Sequence, residues 1–248
     1  MTAAEAIVVV LACAGGAALQ AAAGFGFALL AAPALVRVLG PTEAIGVIGV
    51  LSVLVNVLTL TTPRPRSARA PTVLTLELLR LAPPATAGLV AGALLLGVVP
   101  DAVLQATLAV AVLLALLTPG GRAIAAPPRQ AWRLVTAFGA GLMTTTIGVN
   151  GPPLVLWLRA RGATPDQLRA TLAVAFLVAG AATVVVLAAL GDLHPAPGTV
   201  LVCAAAVLAG HTAGRRRAAG MALHRHDRLV TGVLALSAVA AAASAISG

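Results

Sequence analysis

Apolar residues run through this chain in blocks too long and too dense for the surface helices of a soluble domain. Such blocks fall near residues 5–23, 25–39, 43–62, 75–99, 102–118, 132–148, 152–190 and 197–213, with a last one at 229–246. The hydrocarbon core of a bilayer asks for about 20 apolar residues per spanning helix, so most of these blocks can cross. The 152–190 stretch exceeds one span, and Arg159, Arg161 and Arg169 divide it into a short piece and a full span. Ten elements result, some too short to span alone. Lipid-exposed coil is not tolerated at membrane depth, so the short elements need protein or a cavity around them. The pattern predicts an all-α polytopic membrane protein.

The connections carry orientation. Arginines cluster at Arg64, Arg66 and Arg69; at Arg122, Arg129 and Arg133; at Arg159, Arg161 and Arg169; and from Arg215 to Arg228. The turns Gly40–Glu43, Val99–Asp101 and Gly191–Pro197 hold no basic residue. Basic loops stay cytoplasmic. With all four clusters on that side, 75–99 and 102–118 form one out-and-back pair, and 170–190 with 197–213 form another. Both chain ends then lie outside the cytoplasm. The N-terminus bears Glu5 before its first apolar run, whereas a cleavable signal peptide carries positive charge there. The first run is expected to stay in the mature protein.

Two elements must turn back inside the membrane. Gly148-Val-Asn-Gly-Pro-Pro153 cannot be continuous helix, because proline removes a donor and clashes with the preceding turn. An equivalent break occurs at Gly24-Phe-Gly26, between 5–23 and 25–39. The halves match around these breaks. Gly15 pairs with Gly139, Gly24 with Gly148, Glu43 with Asp166, Gly88 with Gly210 and Gly92 with Gly214, at an offset drifting only from 124 to 122 residues. The expected organisation is an N-terminal repeat (1–121), a cytoplasmic linker (122–131) and a C-terminal repeat (132–248). Each repeat is a broken helical hairpin plus three spanning helices. An odd number of crossings gives the copies opposite orientation, and inverted repeats with interrupted helices point to a secondary transporter. Chance alignment of a glycine-rich chain is the competing explanation.

The second break carries the strongest chemistry. Proline favours the first helical position, with Asn or Gly just before it, so a helix should begin at Pro152 under a cap from Asn150 or Gly151. Its first amides lack intrahelical partners and carry the positive end of the helix dipole, which makes such an end an anion site. The hydroxyls of Thr144, Thr145 and Thr146, one turn before Gly148, could donate to the same ligand. The alternative is a packing kink with the threonines bonded back to their own helix. At the first break, Gly24, Phe25 and Gly26 permit a tight reversal, so a second helix N-terminus could face the first, with Gln20 as the polar counterpart of the threonines. Asn56, in the middle of 43–62, is either interhelical glue or a substrate contact. Arg169 could pair with an anion bidentately or mark the cytoplasmic edge, the edge being favoured. The candidate substrate-binding set is therefore Gln20, Gly24, Phe25, Gly26, Asn56, Thr144, Thr145, Thr146, Gly148, Asn150, Gly151, Pro152 and Arg169.

Composition narrows the alternatives. Of 248 residues 60% are hydrophobic and 9% charged, against about a quarter charged in soluble domains. All 16 basic residues are arginine and the net charge is +9, which loop anchoring explains without nucleic acid. Cys13 and Cys203 stand alone in apolar segments, so neither a disulfide framework nor thiol-relay chemistry is expected. Glycines 88 and 92, and 210 and 214, form small-xxx-small stripes that bring helices close. Trp132 and Trp157 fall near membrane edges, as belt residues do. His211 reads as interfacial, and His224 and His226 as solvated loop charge. All seven carboxylates fall at segment ends, none clearly at the midplane, so the coupling ion is not legible. No catalytic residue, cofactor or metal site is expected; the partners are a small anionic substrate and the lipid bilayer, with a homo-oligomer left open.

These residues resemble the sulfite exporter TauE/SafE family of bacterial membrane permeases over nearly the whole chain. The likeness rests on Gly24-Phe-Gly-Phe followed by Pro33, on Asn56, on the basic loop at 64–69 and on the small-residue stripe from Gly88 to Gly97. Most specific is Gly148-Val-Asn-Gly-Pro-Pro-Leu-Val-Leu-Trp-Leu158, followed by Arg169. Many members carry tyrosine where this chain has Trp157. The resemblance implies two inverted halves in the bacterial inner membrane and movement of small sulfur-containing anions such as sulfite and organosulfonates. Sulfur specificity comes from the resemblance alone. The competing classes are a transporter of another small organic anion, an intramembrane enzyme and an assembly factor. A rhomboid-like protease would need a GxSG serine, which is missing, and a lipid phosphatase or prenyl transferase would need clustered acidic or Arg/His residues. No feature argues for an assembly factor.

Overall fold

The computed structural model describes residues 2–62, 73–96, 98–100, 103, 130–149 and 151–218, except the side chains of Pro152, Leu156, Arg159 and Pro165. The expected spans at 102–118 and 229–246 lie outside the described residues, as do Asn150 and the arginines at 64–69, 122 and 129. Eight helices make up the rest: α1 (Ala3–Ala23), α2 (Phe27–Leu39), α3 (Pro41–Thr61), α4 (Thr75–Leu96), α5 (Gln130–Ile147), α6 (Gly151–Ala160), α7 (Pro165–Leu190) and α8 (Pro197–Ala218). Five of them, α1, α3, α4, α7 and α8, are long and apolar enough to cross a membrane. The chain is an all-helical, multi-pass membrane protein.

Most boundaries follow from local chemistry. Thr2 with Glu5, and Thr164 with Gln167, form reciprocal capping boxes that satisfy the orphan amides of α1 and α7. Pro41, Pro165 and Pro197 open α3, α7 and α8, where a missing N–H costs nothing. The second break runs from Gly148 (φ 71°) to α6, which begins at Gly151, one residue before the expected Pro152. The first break ends α1 at Gly24 (φ 86°), passes Phe25, and opens α2 after Gly26 (φ 110°). Side chains rarely tolerate such backbone, so glycine is required at all three positions.

The helices pair across the two halves. α1 packs mainly on α8, α4 on α5, and α3 on α7. A Cβ on Gly88 or Gly92 would overlap Phe138 or Leu142 of α5, and one on Gly210 or Gly214 would overlap Ala14 or Ala18 of α1. The two small-residue stripes therefore bring backbones together as expected, and each pair runs parallel. α3 and α7 run antiparallel, since Gly49 faces Thr183 and Ser52 faces Phe176. One core surrounds α1, α2 and α3 and includes both cysteines, which are free and buried. A second lies among α4, α5, α6 and α7.

Two interfacial expectations fail. Trp132 is exposed, as a belt residue should be, but Trp157 is only 6% exposed. Its indole donates to Glu77 Oε2 (3.3 Å), and Arg161 donates to Oε1 of the same carboxylate (2.9 Å). Glu77 sits at the start of α4, as a segment-end acid, yet is buried by this partnership. His211 is likewise 3% exposed, packed inside α8 rather than at the interface. Position along the chain located both near a helix end; only the neighbouring helices decide which way they face.

Candidate functional site

The two breaks meet at one small cavity of about 30 Å³. From the first come Gln20, Gly26, Phe27, Ala28 and Leu29; from the second come Thr144, Gly148, Val149 and Gly151. α3 adds Ile48, Gly49 and Ser52, and α7, packed against it, adds Phe176, Gly180 and Thr183. Such a space holds about one or two waters, so admitting a larger anion requires the walls to part.

Polar groups around it form one connected chain. Phe27 donates its amide to Gln20 Oε1 (3.3 Å), and Gln20 Nε2 donates to Asn56 Oδ1 (2.7 Å). Asn56 Nδ2 donates to the Ser52 carbonyl (2.7 Å) and approaches Ser52 Oγ (3.3 Å), while that hydroxyl donates to the Phe176 carbonyl (3.4 Å). Four helices are thus joined through buried and half-buried side chains. Asn56 acts as interhelical glue one step behind the wall and does not itself line the cavity.

The threonines do not act as a row of donors. Thr144 donates to the Ala140 carbonyl (2.7 Å) and Thr146 to that of Leu142 (2.9 Å), both one turn back on α5. Thr145 donates across to the Leu89 carbonyl of α4 (2.8 Å). Only Thr144 reaches the cavity wall. Thr183 and Ser52 also direct their hydroxyl protons to main-chain carbonyls. α2 has no cap from its own Gly26, and Gln20 Oε1 takes its first amide instead. Main-chain donors are fewer than two helix starts suggest, since Phe27 donates to Gln20 and Pro152 and Pro153 carry no N–H; among the lining residues Ala28 and Leu29 of α2 and Gly151 of α6 remain, at the positive ends of both helix dipoles.

Gly24, Phe25 and Arg169 stand to one side. Arg169 is half-buried and not a solvated edge residue: its guanidinium donates to the Ala21 carbonyl near the end of α1, and its methylenes lie where a Gly24 Cβ would be. It straps α7 over the first break without lining the cavity. Phe25 packs against the second core. Ile48 and Phe176 are wall residues that sequence reading missed, because an apolar residue in an apolar span gives no signal of its own.

The description "Sulfite exporter TauE/SafE" belongs to a family model that matches residues 8–241 of the chain. No curated protein and no solved structure matches it.

Proposed function

The chain belongs to the sulfite exporter TauE/SafE family, and from that premise we propose that it is a secondary active transporter of sulfite or organosulfonates, binding them near the midplane between two broken-helix N-termini. The family's members are membrane transporters rather than enzymes, and the family name carries the sulfur-anion class. The observation that carries the site is that Phe27 and Gly151, the first residues of α2 and α6, line the same cavity. Two helix starts at one cavity, with the neighbouring hydroxyls committed elsewhere and the Ala28, Leu29 and Gly151 amides outside the intrahelical ladder, suit a small anion bound by main-chain donors. Another small organic anion would satisfy the same donors.

The two halves are read as inverted repeats. In support, the matched glycines Gly24 and Gly148 share the left-handed conformation. The contact of Gly88 with Phe138 is repeated as that of Gly210 with Ala14, and Gly92 with Leu142 as Gly214 with Ala18. An inner-membrane location is what the family implies, and the arginine clusters support reading both termini as extracytoplasmic. Single cysteines at positions 68 and 195 of a cysteine-free background test it: 68 should label from the cytoplasm and 195 from outside. Labelling of both from one side would overturn the topology.

Proteoliposome currents with sulfite, sulfoacetate, sulfolactate, thiosulfate, sulfate and a carboxylate control test the activity, with isotope uptake covering electroneutral exchange. A saturable, sulfur-anion-selective signal is expected. Silence in both assays from folded, inserted protein removes the sulfur-anion reading.

A further inference from the structure

Three hydroxyls among the described residues line the cavity, and they are held differently. Thr144 and Thr183 each donate one turn back along their own helix, to the Ala140 and Ala179 carbonyls, at 2.7 and 2.9 Å. That is an ordinary arrangement for a hydroxyl inside an apolar helix. Ser52 departs from it. Its half-buried hydroxyl crosses from α3 to the Phe176 carbonyl of α7 at 3.4 Å, well beyond the roughly 2.7–2.8 Å usual for an O–H···O bond.

The direction of that bond is fixed by its neighbours. A main-chain amide only donates and a carbonyl only accepts. The Phe27 amide therefore orients Gln20, and Gln20 Nε2 meets Asn56 Oδ1. Asn56 Nδ2 in turn points at the Ser52 carbonyl and, at 3.3 Å, at Ser52 Oγ. The serine oxygen receives from Asn56, and its proton is left for Phe176. It is the last donor of a chain that begins at the first break and ends on α7.

α3 and α7 meet closely around this serine. A Cβ on Gly180 would stand 3.0 Å from both the Gly49 carbonyl oxygen and Ser52 Cβ. The Phe176 ring reaches the other way, 3.8 Å from where a Gly151 Cβ would lie, at the first residue of α6. One residue of α7 thus touches the serine through its carbonyl and the second helix start through its ring. A cavity of about 30 Å³ takes sulfoacetate only when this contact yields.

We propose that the Ser52 hydroxyl is an exchangeable latch: it donates to Phe176 while the cavity is closed and turns to an anion that enters, freeing α7 from α3. This rests on the transporter reading above and adds a side-chain donor to the main-chain amides. A hydrogen bond to an anionic oxygen is shorter and roughly twice as strong as a neutral one, so giving up a 3.4 Å bond for it is favourable. Phe176 loses little, because its carbonyl lies inside α7 and keeps the in-helix amide of Gly180. Asn56 also keeps its place, since its 2.7 Å bond goes to the serine main chain.

Ser52→Ala removes the hydroxyl and leaves that main-chain acceptor, so it isolates the latch. In labelled sulfoacetate counterflow its half-saturation concentration should rise about 10–100-fold, the range for a lost hydrogen bond to a charged group. An unchanged value overturns the proposal. The exchange itself is read at the Phe176 carbonyl. Carbonyl-¹³C phenylalanine combined with ¹⁵N leucine singles it out, because no other phenylalanine of this chain precedes a leucine. In wild type its resonance should move upfield on adding sulfoacetate, as a carbonyl losing a hydrogen bond does, and toward its position in Ser52→Ala. A wild-type resonance that stays put or moves downfield overturns the latch, whether or not the variant folds. Absence of wild-type counterflow counts instead against the transporter reading, and the latch falls with it.

Discussion

Gln20 and Asn56 share a buried hydrogen bond of 2.7 Å that ties the last turn of α1 to the middle of α3. The same glutamine receives the Phe27 amide through its other side-chain atom, so one side chain bridges a helix end and a helix interior. Replacing Asn56 by Leu leaves the Gln20 amide without its acceptor. We expect a loss of about 1–3 kcal/mol for the unmet group, read as a lower melting temperature in detergent. Substrate affinity should fall as well, because the start of α2 loses its anchor. Unchanged affinity would separate this network from the cavity.

The strap across the first break predicts a steric dependence. Gly24→Ala forces a side chain into a left-handed residue and against the Arg169 methylenes. Arg169→Ala removes the second obstacle but not the first. The double variant should therefore recover part of the stability lost by Gly24→Ala alone, a non-additivity of about 0.5–3 kcal/mol typical of contacting residues. Simple additivity in thermal melts would mean that the two do not touch.

Close helix pairing gives a graded series. Gly88→Ala and Gly210→Ala drive a methyl group into the Phe138 and Ala14 main chain, whereas Gly139 has nothing within 4 Å of its Cβ position. Overpacking costs about 1–3 kcal/mol, so the first two should melt well below wild type. Gly139→Ala should be neutral or slightly stabilising, since alanine favours helix. Equal melting of all three would remove the close-approach argument.

Glu77 receives both Trp157 and Arg161. Glu77→Ala leaves the buried indole N–H unmet, at about 1–3 kcal/mol. Trp157→Phe in that background should restore part of the loss, because the donor goes with its partner. A double-mutant melt in which Trp157→Phe only adds to the damage would show that the ring matters for packing alone.

The second break was legible because Gly148 suits left-handed backbone and two prolines a few residues on suit a helix start; a proline pair alone does not end a helix, since Pro83 and Pro84 lie inside α4. The first was legible mainly through its match with the second. By contrast, the threonine row gave the wrong emphasis: a hydroxyl in a helix can always bond back to the preceding turn, and these do so or reach α4. For Trp157 and His211 the sequence shows only their distance from a helix end, a linear property, whereas their burial depends on neighbouring helices.

The sequence by itself determined the membrane class, the helix boundaries set by glycine, proline and capping threonine, and the two breaks, because each depends on residues adjacent in the chain. Only the tertiary structure decided that both breaks face one cavity and that Gln20 reaches Asn56. It also decided that Arg169 lies over Gly24 and that His211 is sealed beside Thr62. Those relationships join residues dozens to more than a hundred positions apart. The packing of α1 on α8, α4 on α5 and α3 on α7 fixes them, through approach distances that no local pattern records.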